Sequence, residues 1–196
     1  MKKLMLAVAL GAVVSAPALA QDGDEGTSTA RDGFRIEARA TYETPTISSV
    51  IEEDDVYKLG SAFAFGGEIG FDLAVSDSVV VGPYGQYEKS TVESTEDGFT
   101  VRTTDYIEAG LHVGVATGGN GQIYGKVGYA QLGFETEGLG LDTTEEGSGI
   151  GFALGYELGL GENLYARIEG GYADVGEVYG LNWQRRHFGV ALGGRF

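Results

Sequence analysis

The chain has 196 residues, no cysteine, and 29 acidic against 13 basic side chains, a net charge of −16. That balance excludes a polyanion binder, and the missing thiols exclude disulfide staples. The length suits one domain, and the 34 glycines are neither a collagen period nor a low-complexity tract.

Residues 1–20 carry Lys2 and Lys3, then an uncharged apolar run, then Ala18-Leu19-Ala20. This reads as an export signal cleaved before Gln21, and its loss leaves the mature chain more acidic still. No other stretch approaches the roughly 20 apolar residues of a spanning helix, so a membrane protein made of this chain has to be a barrel. Residues 21–32 form an acidic tail with nothing to bury, expected to be disordered.

From residue 33 to 196 the chain alternates with a period of two, the signature of strands with one apolar face. The first strand sets Phe34, Ile36, Ala38, Ala40 and Tyr42 against Arg35, Glu37, Arg39 and Thr41. The second, near 61–75, sets Phe63, Phe65, Ile69, Phe71 and Leu73 against Glu68, Gly70 and Asp72, and the third, near 79–89, sets Val79, Val81 and Tyr87 against Tyr84, Gln86 and Glu88. The fourth has Ile107, Ala109, Leu111, Val113 and Val115 opposite Tyr106, Glu108, Gly110 and His112. In the fifth, Ile123, Val127 and Tyr129 oppose Tyr124, Lys126 and Gly128, but Leu132 and Phe134 fall on the other parity, which a bulge near Gln131 would repair. The sixth alternates Ile150, Phe152, Leu154, Tyr156 and Leu158 with Gly151, Ala153, Gly155 and Glu157, and the seventh alternates Leu164, Ala166, Ile168 and Tyr172 with Tyr165, Arg167, Glu169 and Gly171. The eighth places Phe188, Val190, Leu192, Gly194 and Phe196 on one face, with His187, Gly189, Ala191, Gly193 and Arg195 on the other.

The connections alternate in length. Those after strands two, four and six are short, at 76–78, 117–121 and 161–163, whereas 43–60, 90–100, 135–147 and 174–183 read as long loops. Short periplasmic turns and longer extracellular loops are the asymmetry of an even-stranded membrane barrel. The predicted fold is all-β, an eight-stranded antiparallel up-and-down transmembrane barrel with its apolar face in lipid. An inverted, soluble barrel would line its interior with the apolar face, but eight strands leave room inside only for filling side chains, and the other face here is crowded with ionisable groups.

The export signal, the eight alternating segments, Lys126-Val127-Gly128-Tyr129, Gly155-Tyr156-Glu157 and the terminal Gly193-Gly194-Arg195-Phe196 resemble the small outer-membrane β-barrels, the OmpA-like transmembrane domain and its OmpX-like and opacity-protein relatives, often called porin-family proteins. The resemblance implies the outer membrane of a Gram-negative bacterium, contact with lipid and lipopolysaccharide, and recognition of Phe196 and its strand by the barrel-insertion machinery as an assembly signal. Relatives include anchors, adhesins and small channels. No peptidoglycan-binding domain is expected after the barrel, so the wall-anchoring role of full-length OmpA-like proteins is not expected to carry over.

Parity assigns to the lumen the bases Arg35, Arg39, Lys126, Arg167, Arg185 and Arg195, the acids Glu37, Glu68, Asp72, Glu88, Glu108, Glu157 and Glu169, and the histidines His112 and His187. The signs nearly balance, whereas an ion-selective pore would carry a ring of one sign. Paired charges that block the axis are the expectation, with a gated small pore for ions or solutes as the alternative. The remaining acids gather in the loops, at Glu52, Glu53, Asp54 and Asp55, at Glu93, Glu96 and Asp97, and at Glu135, Glu137, Asp142, Glu145 and Glu146. Solvation explains them; their spacing matches no calcium loop, although divalent cations could bridge them to lipopolysaccharide. Lys89 and Arg186, at the outer ends of lipid faces, could touch its phosphates.

Lipid-modifying chemistry would need a histidine beside a serine near the interface, and neither His112 nor His187 has a serine two residues away. The run Gly149-Ile150-Gly151-Phe152-Ala153-Leu154-Gly155 alternates as a barrel strand and opens no helix, so it is no nucleotide loop. No catalytic residue, metal ligand or cofactor is assigned, and the expected role is structural or surface-interacting, through the acidic loops, with an unknown extracellular ligand and no nucleic acid.

Overall fold

The computed structural model describes residues 31–49, 56–96, 98–138, 140–178 and 180–196. The expected export signal, all but the end of the acidic tail, and the acids Glu52, Glu53, Asp54, Asp55 and Asp97 lie outside them. The strands are β1 (Gly33–Ser49), β2 (Val56–Lys58), β3 (Ala62–Ser76), β4 (Val79–Ser90), β5 (Glu93–Glu96), β6 (Phe99–Gly118), β7 (Gly121–Gly138), β8 (Leu141–Gly159), β9 (Leu164–Val178) and β10 (Leu181–Arg195).

Eight of them, β1, β3, β4, β6, β7, β8, β9 and β10, pair antiparallel in that order. β10 then returns to β1, from Arg35 opposite Arg195 to Ser49 opposite Leu181. Closure leaves these strands no free edge within the membrane, the condition for crossing a bilayer with sheet. The short β2 and β5 pair only with β1 and β6 among the described residues.

The period of two sorts the residues between lipid and lumen. Ile36, Phe65, Leu111, Leu154, Ile168 and Phe188 are exposed on the outer face, Leu154 at 72%. Their neighbours Arg35, Glu68, His112, Arg167 and Arg185 are buried inside. Tight periplasmic turns join β3 to β4 and β6 to β7; in the latter, Gly118 and Gly119 take φ of 90° and 57°, where a side chain would be strained.

The outer half departs from the sequence reading. All four expected long loops hold strand instead: β1 runs on to Ser49 and β2 covers Val56–Lys58, β5 pairs with the start of β6, β7 and β8 stay paired up to Gly138 opposite Leu141, and β9 and β10 up to Val178 opposite Leu181. Glu135, Glu137, Asp142, Glu145 and Glu146 are therefore strand residues, and Glu93 and Glu96 sit on β5. The loop reading equated the end of the lipid-facing pattern with the end of the strand, but pairing depends on the backbone and continues into water.

The bulge expected near Gln131 is not on β7. β7 pairs with β8 without a shift through its whole length, so Leu132 and Phe134 share the inward parity of Tyr124 and Lys126, at 0% and 3% exposure. With Tyr106, Ala130, Ala173, Val175 and Trp183 they form an apolar core inside the outer end of the barrel. Above the bilayer the outer face meets water, so apolar side chains are stable only inside. The irregularity falls on β6 instead, between Thr103 and Tyr106, and turns Val101 and Thr103 inward.

Single cysteines, introduced into a chain with none, separate these environments. On intact cells, a bulky water-soluble maleimide is expected to label Gln131→Cys, on the outer wall above the lipid, and to leave Leu132→Cys and Leu154→Cys unmodified. Labelling of Leu132→Cys would contradict its inward register.

Candidate functional site

The lumen holds the densest chemistry of the chain because β1, with Arg35, Glu37, Arg39, Thr41 and Glu43 on alternate positions, feeds a ladder of charges to strands all around the ring. Near the periplasmic end Arg35 donates to Glu68 and, at 3.1 Å, to Asp72. Arg195 reaches Asp72 at 3.0 Å and Glu157 at 3.0 Å, and Arg167 reaches Glu157 at 2.6 Å. His112 Nδ1 lies 3.0 Å from Asp72, with its ring against Tyr124.

At mid-height Glu68 is the hub. Beyond Arg35 it accepts from Lys126 at 2.7 Å, Arg39 at 3.4 Å and Arg167 at 3.5 Å, groups carried by β7, β1 and β9. Lys126 also meets Glu169 at 2.8 Å, while Arg39 spans Glu37 at 2.8 Å and Glu88 at 3.1 Å. Higher still, Arg185 is clamped between Glu43 and Glu88, with its guanidinium 3.9 Å from the centre of the Tyr106 ring. His187 Nε2 stands 3.6 Å from Glu169.

The structure thus brings the fifteen residues that parity placed inside onto one buried column, but their partners differ in kind. Glu108 holds no cation among the described residues. It accepts from the hydroxyls of Tyr84 and Tyr106 instead. Tyr124 and Tyr165 flank Arg167, at 4.5 and 5.0 Å from its guanidinium carbon, and add cation–π attraction to the ion pairs. Inward glycines make the room: a Cβ on Gly70 would stand 2.6 Å from the Arg35 guanidinium carbon, and one on Gly155 2.4 Å from the Tyr124 ring.

Sequence reasoning missed Glu43, assigned to a loop although it continues the odd parity of Arg35 to Thr41, and it counted charges without the tyrosines that shared their face. It also missed Arg31, whose guanidinium enters the periplasmic mouth 3.5 Å from Glu157. Taking so many charges out of water is tolerated because nearly every one meets an opposite charge or a hydroxyl. Phe196 ends the chain outside this column, exposed on the lipid side, with its backbone paired to Phe34 at 2.8 and 2.9 Å. On the outer wall Arg102 bridges Glu93 at 2.7 Å and Glu137 at 2.9 Å. Among the described residues no cluster of histidine and carboxylate side chains has the arrangement of a metal site.

A closed ring with an apolar belt outside and a charged column inside is matched by one family model, the outer membrane protein beta-barrel domain, over residues 6–196. The chain belongs to that family. It is therefore an outer-membrane protein of a Gram-negative bacterium. Solved barrels share the fold at low identity. Neisserial surface protein A (NspA) is 17% identical, with 84% of this chain and 97% of that one covered and a TM-score of 0.57. The attachment invasion locus protein Ail of Yersinia pestis, solved with the heparin analogue sucrose octasulfate, is 11% identical over 82% and 99%, with a TM-score of 0.53. OprG from Pseudomonas aeruginosa is 13% identical over 86% and 98%, with a TM-score of 0.52. A comparison with the curated proteins gives no match.

Proposed function

We propose that this outer-membrane barrel is a closed scaffold that displays its extracellular strands for interaction at the cell surface, rather than a channel or an enzyme. One observation carries the reading: Glu68, on β3, is held by cations from β7 and β9, on the far side of the ring, so charged bonds cross the axis at mid-height. An open pore needs a continuous watery path, which such bonds interrupt. The histidines face Asp72 and Glu169 inside this column, which supports structural roles for both. Phe196 at the end of the closing strand suits recognition by the insertion machinery. Lys89 and Arg186 stand just beyond the lipid-facing Tyr87 and Phe188, where lipopolysaccharide phosphates would lie.

Conductance in planar bilayers tests the reading. The wild-type protein is expected to be nearly silent and Glu68→Ala to open intermittently, as a cavity and unpaired cations replace the central carboxylate. Large, steady wild-type channels would overturn the closed scaffold in favour of a small pore.

A further inference from the structure

Just above the lipid, the outer wall is hollowed into a cleft of about 520 Å³, with the lipid-facing Ile107 at its lower edge. The bulge on β6 builds it. Thr104 and Asp105 together stand opposite Gly133 on β7, because Thr103 pairs with Phe134 and Tyr106 already with Leu132. Two side chains of β6 thus meet a β7 position that has none. A Cβ on Gly133 would lie 2.4 Å from the Thr104 hydroxyl oxygen, so the Thr104 side chain leans over the bare glycine. Glu146, on β8, flanks Gly133 from the other side, and Gln131 and Glu135 hold the neighbouring outward positions of β7.

The lining is polar and mixed in sign. Arg102, at the upper end, is already held by Glu93 at 2.7 Å and Glu137 at 2.9 Å, and Asp105 accepts from the Tyr87 hydroxyl at 2.7 Å. The side chains of Lys89, Gln131, Glu135 and Glu146 have no such partner among the described residues, so their donors and acceptors stand open to a ligand. A metal ion does not account for them, since no three acidic side chains among the described residues converge closely enough to hold one. A strong anion would face the carboxylates of Asp105, Glu135 and Glu146, and an apolar ligand would strip their water without replacing it. Hydroxyls suit the lining, because each donates to a carboxylate and accepts from Lys89 or the Gln131 amide, and a ligand that spreads several of them over such a cleft is a sugar.

We propose that this cleft binds a neutral or amino-bearing oligosaccharide, whose hydroxyls donate to Glu135 and Glu146 and bond to the Gln131 amide over the bare floor at Gly133. The volume falls within the roughly 300–1,000 Å³ of small-ligand sites. Carboxylates outnumber the open cation of Lys89, so an ammonium on the sugar is welcome and a phosphate is not. The proposal rests on the surface-interaction reading and names its ligand class.

The test uses the full barrel refolded in lipid nanodiscs and titrations followed by saturation-transfer difference NMR. Three sugars serve: chitotriose, the glucosamine trimer that its deacetylation yields, and the phosphorylated oligosaccharide of a deacylated lipopolysaccharide. At least one of the first two is expected to bind the wild type, and the phosphorylated one about tenfold more weakly or not at all. Glu146→Trp fills the cleft, and the double variant Gln131→Ala with Glu146→Ala removes hydrogen-bonding groups without filling it; each is expected to weaken binding about tenfold or more. Glu96→Ala, on β5 outside the cleft, should leave it unchanged. No binding of the first two sugars, equal or tighter binding of the phosphorylated one, or binding that the cleft variants weaken no more than Glu96→Ala does, overturns the proposal; the double variant alone decides if Glu146→Trp fails to fold. A silent barrel that binds no sugar removes only this inference, whereas a conducting one that binds sugar removes only the closed lumen.

Discussion

Glu68→Ala is expected to lower the stability of the barrel by about 3–5 kcal/mol in urea titrations of the lipid- or detergent-refolded protein, the cost of breaking a buried ion network by removing one partner. The size follows from connectivity: one carboxylate serves Arg35, Arg39, Lys126 and Arg167, none of which can turn to water from the lumen. Glu177→Ala, on the exposed outer end of β9, should stay within about 0.5 kcal/mol, as surface substitutions do. Glu68→Gln discriminates shape from charge, because it keeps the volume and removes only the anion; it should recover little of the loss. Equal stability of Glu68→Ala and Glu177→Ala would mean that the column is solvated and its pairs are worth no more than surface ones.

The second large effect lies above the membrane. Phe134→Ala should cost about 3–5 kcal/mol, the usual penalty for emptying a buried aromatic site. Its ring is 3% exposed and its centroid lies 3.8 Å from that of Trp183, so little is left to collapse into the space. One residue pair sharpens the test. Leu132→Arg should prevent the outer end from closing, because the cation would be buried without a partner, whereas Gln131→Arg on the outer wall should be tolerated. If Gln131→Arg proved the more damaging of the two, β7 would have to be turned over in this half.

How much of this was legible depends on which forces were in play. Within the bilayer each residue faces either lipid or a narrow lumen, and the two environments demand opposite chemistry, so a parity count assigned Leu154 and Ile168 outward and Arg167 and Glu169 inward. Outside the bilayer the rule inverts, and the chain marks the change only faintly. Leu132 and Phe134 kept the parity of Lys126 while changing its chemistry, and a reading that held the outer face apolar throughout had to invent a bulge. A better signal was present: Gly98, Gly140 and Gly180 each occupy left-handed φ where two strands meet, and glycines at such spacing between β-rich runs announce hairpins rather than long loops.

By itself the sequence determined the compartment, the strand number and the face of nearly every membrane residue, because a period of two under a lipid–lumen contrast has one physical solution. Which charge meets which was decided only by the tertiary structure. Glu68 lies 29 residues from Arg39, 58 from Lys126 and 99 from Arg167, and only the closure of β10 on β1 and the stagger of the strands bring them to one height on the axis. The same stagger gave Glu108 tyrosine hydroxyls in place of a cation, since partners across a barrel are set by register and not by any local pattern.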